Sequence, residues 1–359
     1  MQAAILVAQK QPLEVAQVIL PEQLAYGQVL VRICYSGICG SQIGEIDGVK
    51  GPDRYLPHLL GHEGSGIVVE VGPGVKTIGP DDHVVLHWMK GQGIESEPPV
   101  YEWRGKRLNA GWVTTFNEYA VVSENRVTVI PKEFDLEVAT LLGCAVTTGL
   151  GVINNNAAVK IGESVVVFGA GGVGLNVIQG AAMVSAHPII AVDLFDSKLE
   201  LAAQFGATHL INSRQVDPKN EILNIVGRAG ADVVVDNTGH VGIIELAYEL
   251  THSYGRTILV GVPRKGNNIS IYSLPLHLGK VLTGSHGGET RPSEDIPRYV
   301  RLYQAGKLKL KELMTNRFAL GDINLAIEKM RAGQIAGRCL IEMGPLKEGT
   351  NNENSRGNW

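Results

Sequence analysis

Up to about residue 130, apolar positions come in short runs broken by glycine and proline: AAILVA, LEVAQVIL, QVLVRICYSG, SGIVVEVG, HVVLHW, FNEYAVVS and RVTVI. Several alternate apolar with polar residues, as antiparallel strands with one buried face do, and predict a β-rich lobe. Between His87 and Trp112 the alternation fails, and the mixed glycine, proline and polar content predicts a long loop. Trp88, Trp103 and Trp112 all lie in it, so it is expected to pack against something. From Asp135 to Asn155 the spacing turns helical. After Val165 strand-like and helix-like segments alternate: VVVF, the helix opened by Asp196 as its N-cap, THLIN, NEILNIV, DVVVD, IIELAYEL and TILVGV. That alternation predicts a doubly wound parallel sheet covered by helices on both faces. Near His286 it stops, and helices around 294–305 and 323–332 with the strand RCLIEM read as a return to the first lobe. The expected boundaries are 1–150 and 287–343 for a lobe made from both ends of the chain, 151–286 for the domain inserted between them, and 344–359 for a polar, flexible tail.

The stretch Val165 to Asp193 carries the most specific signal. Four apolar residues lead into Gly169, Gly171 and Gly174 at GxGxxG spacing, with Gly172 and Val173 opening the next helix. Gly169 is expected to make a tight turn, Gly171 to let the main chain approach a pyrophosphate, and Gly174 to let the helix lie close to the strand. A second apolar strand ends in Asp193, whose carboxylate can accept both hydroxyls of an adenosine ribose and would repel a 2′-phosphate. The order strand, glycines, helix, strand, acid is a Rossmann pattern that favours NAD over NADP.

Composition narrows the partners. A chain of 359 residues has room for two cores, and its net charge of −4 gives no electrostatic case for nucleic acid. No apolar run approaches membrane-spanning length, and the N-terminal sequence lacks the layout of a secretory signal. Cys34, Cys39, Cys144 and Cys339 are too scattered for a disulfide framework, which points to the reducing cytoplasm.

Cys39 in GICGS, His62 in LLGHEGSG and Cys144 in LLGCAVTTG are candidates for a second centre, although their spacing is not that of a zinc finger. Two thiolates and an imidazole leave one tetrahedral position open on Zn²⁺, where an alcohol can lose its proton near neutral pH. The resulting alkoxide is a hydride donor, and NAD⁺ is the acceptor that the glycine turn implies.

On these motifs the sequence resembles the zinc-containing medium-chain dehydrogenases of the alcohol dehydrogenase type, from about residue 3 to residue 343. GHEGSGIVVEVGPGV, from Gly61 to Val75, is close to that family's zinc signature and lies upstream of a GAGGVG turn, as in the family. The resemblance implies a GroES-like catalytic lobe with a Rossmann domain inserted and the active site in the cleft. It implies zinc ligand roles for Cys39, His62 and Cys144. By the same resemblance Ser41 accepts the substrate's hydroxyl proton, and Glu63 is the acid behind the zinc. Arg338 would reach the cofactor pyrophosphate or pair with that acid. Thr148 would pack against the nicotinamide, the main chain of Val260 and Val262 would meet its carboxamide, and Lys198 would lie near the adenosine ribose. Trp88 would form an aromatic wall of the substrate pocket, and His286 is placed near the nicotinamide.

The sequence departs from the family in four places. Gly44 stands where a relay histidine is common, Gln42 where an aspartate usually orients the histidine ligand, and Gly40 where some relatives carry a basic pyrophosphate contact. Between Cys39 and Cys144 there is no cysteine, so no structural zinc is expected and one zinc per subunit is.

The function expected is hydride transfer between NAD and a primary, secondary or sugar-like alcohol through a zinc-bound alkoxide. The alternatives are a zinc-free reductase of the quinone or enoyl type, and a redox-neutral enzyme that keeps NAD bound. His87, Trp88, Trp103 and Arg104 are available in the loop to shape the pocket. A homodimer or homotetramer is expected from the resemblance, with NISIYSLPLHL as the candidate pairing segment.

Overall fold

A computed structural model describes residues 1–344, so the expected tail lies, from residue 345 on, outside the described residues. The β-rich lobe is built on a seven-stranded sheet. Its path is Val127–Ile130, His83–His87, Glu63–Val71, Gln28–Ile38, Arg338–Glu342 and Met314–Ala319, with Tyr119–Ser123 paired on Gln28–Ile38. Alternation along the central strand sends Val29, Val31 and Ile33 into one core with Val84, Leu86 and Ile341. Arg338–Glu342 runs antiparallel to Gln28–Ile38 with Cys339 opposite Ile38, which brings Arg338 beside the strand end that leads into Cys39.

The second sheet has six parallel strands in the order His209–Asn212, Ile189–Asp193, Val165–Phe168, Ala231–Asp236, Thr251–Leu259 and Val281–Gly284. Along Val165–Phe168, Val165 and Val167 enter the core on one face and Val166 and Phe168 the core on the other, as a doubly covered sheet requires. Strand order reverses beside this strand, so its carboxyl end opens on the crevice where such sheets bind ligands.

Three local expectations are corrected. The loop after His87 contains a hairpin, Tyr101–Trp103 with Lys106–Leu108, turned by Arg104 and Gly105 at φ 53° and 68°. The helix Asp196–Gln204 is preceded by Phe195 at the cap position, while the Asp196 carboxylate accepts hydrogen bonds from Asn212 and Gln215 instead. The helical stretch after Asp135 is broken into Leu136–Thr140, a short turn, and Ala145–Gly151, with Cys144 at the break. Among the described residues no single helix is long and apolar enough to cross a membrane.

Candidate active site

The three candidate ligands come from three local devices. Cys39 ends the central strand in extended backbone and precedes the helix Gly40–Ile46. His62 stands just before the strand Glu63–Val71, and Cys144 occupies the helix break. Their ligand atoms lie within 4.8 Å of one another, with His62 Nε2 3.2 Å from Cys144 Sγ. Cys144 is buried while Cys39 and His62 are half-buried, so the cluster sits at the cleft wall. The hydrogen bond from Cys144 holds the Cys39 thiol well below its ordinary range, and the same contact pushes Cys144 well above it. A dication taking both as thiolates, together with the imidazole lone pair, satisfies all three groups, so the donor set fits zinc with a fourth position open to the cleft.

Gln42, nearly fully buried, contacts His62 Nδ1 and accepts the Cys39 backbone N–H at 2.9 Å. Glu63 is wholly buried, and burial raises its carboxyl pKa. Its Oε2 accepts hydrogen bonds from Arg338 Nη2 at 3.0 Å and from the Ala145 N–H at 2.8 Å, while Oε1 has no partner. Arg338 also donates from Nη1 to the Ile38 carbonyl at 3.0 Å, and its buried Nε is left without a partner. A Cβ on Gly172 would lie 2.6 Å from that Nε, and Gly337 bridges to Gly171. Arg338 therefore pairs with the acid, one of the two destinations expected of it, and also packs against Gly172 in the first turn of the helix Gly172–Met183.

At the turn itself Gly169 has φ 87°, a conformation that favours glycine. A Cβ on Gly174 would stand 1.9 Å from the Gly169 carbonyl oxygen, whereas one on Gly171 would meet nothing within 4 Å. Gly171 thus opens a cradle at the amino end of the helix Gly172–Met183, which fits a pyrophosphate. Asp193 accepts the N–H groups of Ala170, Leu194 and Phe195, and Lys198 Nζ lies 3.9 Å from it. Thr148 is buried in the helix Ala145–Gly151, which packs against the nucleotide helix where Gly149 faces Asn176 and the Val173 carbonyl. Val260 donates its N–H to the Asp236 carbonyl at 2.8 Å, and the Val262 side chain is exposed. Ser41, in the first turn of Gly40–Ile46, is exposed.

On the open side, the Trp88 ring stands 6.5 Å from His62 and 4.9 Å, edge to face, from His286. The other residues offered by that loop do not join them. His87 is turned inward, 1% exposed, with its ring nitrogens on the Met89 carbonyl and Thr128. Arg104 stacks on Trp103 and pairs with Glu14, and Trp112 stacks on Arg126. Sequence reasoning missed the clamp that holds His286. Asn155 donates to the carbonyls of Gly288 and Glu289, and Ser285 donates to Asn156. The run of three asparagines closing a helix was its only sequence signal.

Comparison with known proteins agrees with this architecture. A model described as an alcohol dehydrogenase GroES-like domain matches residues 25–132, and one described as a zinc-binding dehydrogenase matches residues 172–305. An S-(hydroxymethyl)glutathione dehydrogenase of Paracoccus denitrificans is 34% identical over 92% of this chain and 97% of its own length. Benzyl alcohol dehydrogenase from Acinetobacter calcoaceticus superposes with a TM-score of 0.86 at 30% identity, over 96% of this chain and 99% of the other. An alcohol dehydrogenase zinc-binding domain protein from Burkholderia ambifaria superposes with a TM-score of 0.87 at 29% identity, over 96% and 99%. With a GroES-like lobe, an inserted Rossmann domain and relatives matched along nearly their whole length, the chain belongs to the zinc-containing medium-chain alcohol dehydrogenases, NAD-dependent oxidoreductases acting on alcohols.

Proposed function

We propose that Cys39, His62 and Cys144 hold the catalytic zinc and that Ser41 accepts the proton of the substrate hydroxyl. The observation that carries this reading is the convergence of three donor atoms within 4.8 Å on the cleft wall, tied by Arg338 to the glycine turn. Zinc there supplies Lewis acidity that eases loss of the hydroxyl proton, and NAD⁺ accepts the hydride. The protein's own part is positional. Glu63 and Arg338 hold the floor of the metal site, and Gln42 orients His62. Gly169, Gly171, Gly172, Val173 and Gly174 take the pyrophosphate with Arg338 beneath them. Asp193 and Lys198 take the adenosine ribose, Thr148 packs on the nicotinamide, and Val260 and Val262 meet the carboxamide.

Trp88 and His286 are the proposed pocket wall, one offering an aromatic face and the other a polar edge. That pairing suits an alcohol with a flat or polyhydroxylated substituent. One relative is named for S-(hydroxymethyl)glutathione and another for benzyl alcohol, and both belong in the substrate panel. We also propose the boundaries 1–150, 151–286 and 287–343 for the domains, a cytoplasmic location, and pairing of two subunits through the segment NISIYSLPLHL, residues 268–278. In it Tyr272, Leu274, Leu276 and Leu278 are exposed.

The test is metal content with NAD reduction across a panel of alcohols. One zinc per chain is expected, and Cys144→Ala should lose both the zinc and the turnover. Zinc-free protein fully active on activated alkenes would overturn the reading. Light scattering checks the assembly, and a monomer would refute the pairing.

A further inference from the structure

Trp88, the proposed pocket wall, lies on backbone that belongs to no strand or helix. The strand His83–His87 ends just before it, and the hairpin begins only at Tyr101. A side chain on such backbone is only as fixed as the hydrogen bonds that its neighbours find elsewhere. Here one short turn, Glu124–Arg126, supplies them, and its three residues are all buried. Arg126 donates from Nη1 to the Trp88 carbonyl and from Nη2 to Glu95 Oε1 at 3.1 Å. The Asn125 carbonyl accepts the Gly91 N–H at 2.7 Å, and the Asn125 N–H donates to the Ile94 carbonyl at 3.2 Å. Glu124 Oε2 accepts the Ile94 N–H at 2.9 Å, while Oε1 accepts the N–H groups of Lys76 and Thr77, each at 3.1 Å, and the Thr77 hydroxyl at 2.7 Å. Glu124 thus anchors the turn to the lobe, and the turn holds the segment from Trp88 to Glu95.

The indole is bounded on its other side. Gly287 has φ 63°, and a Cβ there would stand 2.7 Å from Trp88 Cζ2. A displaced Trp88 carbonyl would therefore carry the ring with it, since there is no slack behind the ring to take up the shift. A buried guanidinium is destabilising unless its donors are met, and Arg126 Nε is buried without a partner. Stability alone would favour an apolar side chain there. An arginine adds a rigid fork that fixes a carbonyl and a carboxylate in one geometry. We propose that Arg126 is a positioning residue for alcohol selectivity: by holding the Trp88 carbonyl it sets where the indole stands beside His62 and His286, and so which alcohols fit. The inference rests on the proposed role of Trp88 as pocket wall. A wall held in this way discriminates alcohols that differ by one carbon beside the hydroxyl, for which a fixed apolar pocket supplies roughly 10- to 200-fold.

The test is Arg126→Met in the full-length enzyme loaded with zinc and NAD⁺. It compares kcat/KM for the best alcohol of the panel with that for its homologue one methyl group larger or smaller at the carbinol carbon. The ratio should fall at least about fivefold toward unity, through KM for the alcohol, with KM for NAD⁺ and zinc content unchanged. Independently of turnover, protein labelled with fluorotryptophan gives a Trp88 resonance, assigned by its loss in Trp88→Phe, that should shift or broaden in the fluorine NMR spectrum of Arg126→Met. A merely structural role would lower the yield of active enzyme and leave both readouts in place. Should Arg126→Met not fold, Arg126→Lys, which keeps a cation for Glu95 but loses the fork, is expected to act in the same direction. An unchanged ratio or an unmoved Trp88 resonance overturns the inference. If Trp88→Phe itself leaves the ratio unchanged, the reading of Trp88 as pocket wall fails instead, and that failure is distinct because it does not involve Arg126.

Discussion

Replacing Arg338 by Met removes the guanidinium that is hydrogen-bonded to Glu63. The acid would remain wholly buried, with Oε1 unpartnered as before and Oε2 left with only the Ala145 N–H. Removing one partner of a buried ion pair costs about 3–5 kcal/mol, because the other charge is stranded. Glu63→Met should cost a similar amount, since Arg338, 3% exposed, would lose its carboxylate partner and keep the Ile38 carbonyl and the neighbouring cysteine sulfurs. Independent effects would sum to about 6–10 kcal/mol, but the double variant strands no charge and should lose far less, giving a coupling of about 3 kcal/mol or more. The assay is urea unfolding of chelator-treated protein followed by tryptophan fluorescence, so that metal binding does not enter. Trp88, Trp103 and Trp112 all lie in the lobe that holds the pair, so the signal reports the relevant domain. A double variant destabilised by the sum of the single ones would refute the idea that the pair acts as a unit.

Three further outcomes are expected. Burial lowers the His87 pKa from 6.5 to about 4, so between those values the unfolded chain binds more protons and stability rises with pH. About 3 kcal/mol is lost as pH falls through that window, and His87→Gln should flatten the dependence in urea unfolding; an unchanged slope would count against it. Gly171→Ala should fold as stably as the parent, since a Cβ there meets nothing, yet bind NADH at least about tenfold more weakly by fluorescence titration, and unaltered affinity would remove Gly171 from the pyrophosphate site. Gly174→Ala should lose affinity and stability together, because its Cβ would collide with the Gly169 carbonyl oxygen, and a variant as stable as the parent would refute that contact.

The nucleotide turn was legible because each of its glycines has a local reason: a positive φ, an open approach, or contact between a helix and the turn just before it. The alternation of strands and helices was legible for the same reason, since period alone separates the two lobes. The ligand set was not. Cys144 lies 82 residues from His62, and no spacing rule joins them; only resemblance to a family did. The hairpin after His87 was hidden because its turn uses Arg104 at positive φ where asparagine or glycine is the usual signal. His87 looked like a pocket residue because sequence shows that a histidine adjoins Trp88, while strand alternation turns the two side chains to opposite faces.

What sequence could not convey is how the metal and cofactor sites are held in register. Two routes join them, and both depend on side chains that are missing. The helix that begins after Cys144 carries Thr148 and meets the nucleotide helix at Gly149, where a Cβ would stand 2.4 Å from that of Asn176. Arg338 reaches the same helix at Gly172, with the distance set by its guanidinium rather than by an intervening side chain. Two contacts made directly onto glycine backbone leave little slack, since packed interiors transmit a displacement instead of absorbing it. Hydride transfer needs its donor and acceptor atoms within a few tenths of an ångström of one geometry. The glycines therefore tie the position of the helix Gly172–Met183 to Cys144 and Glu63, so that, on the proposed sites, the hydride acceptor and the alcohol would be set by the same framework.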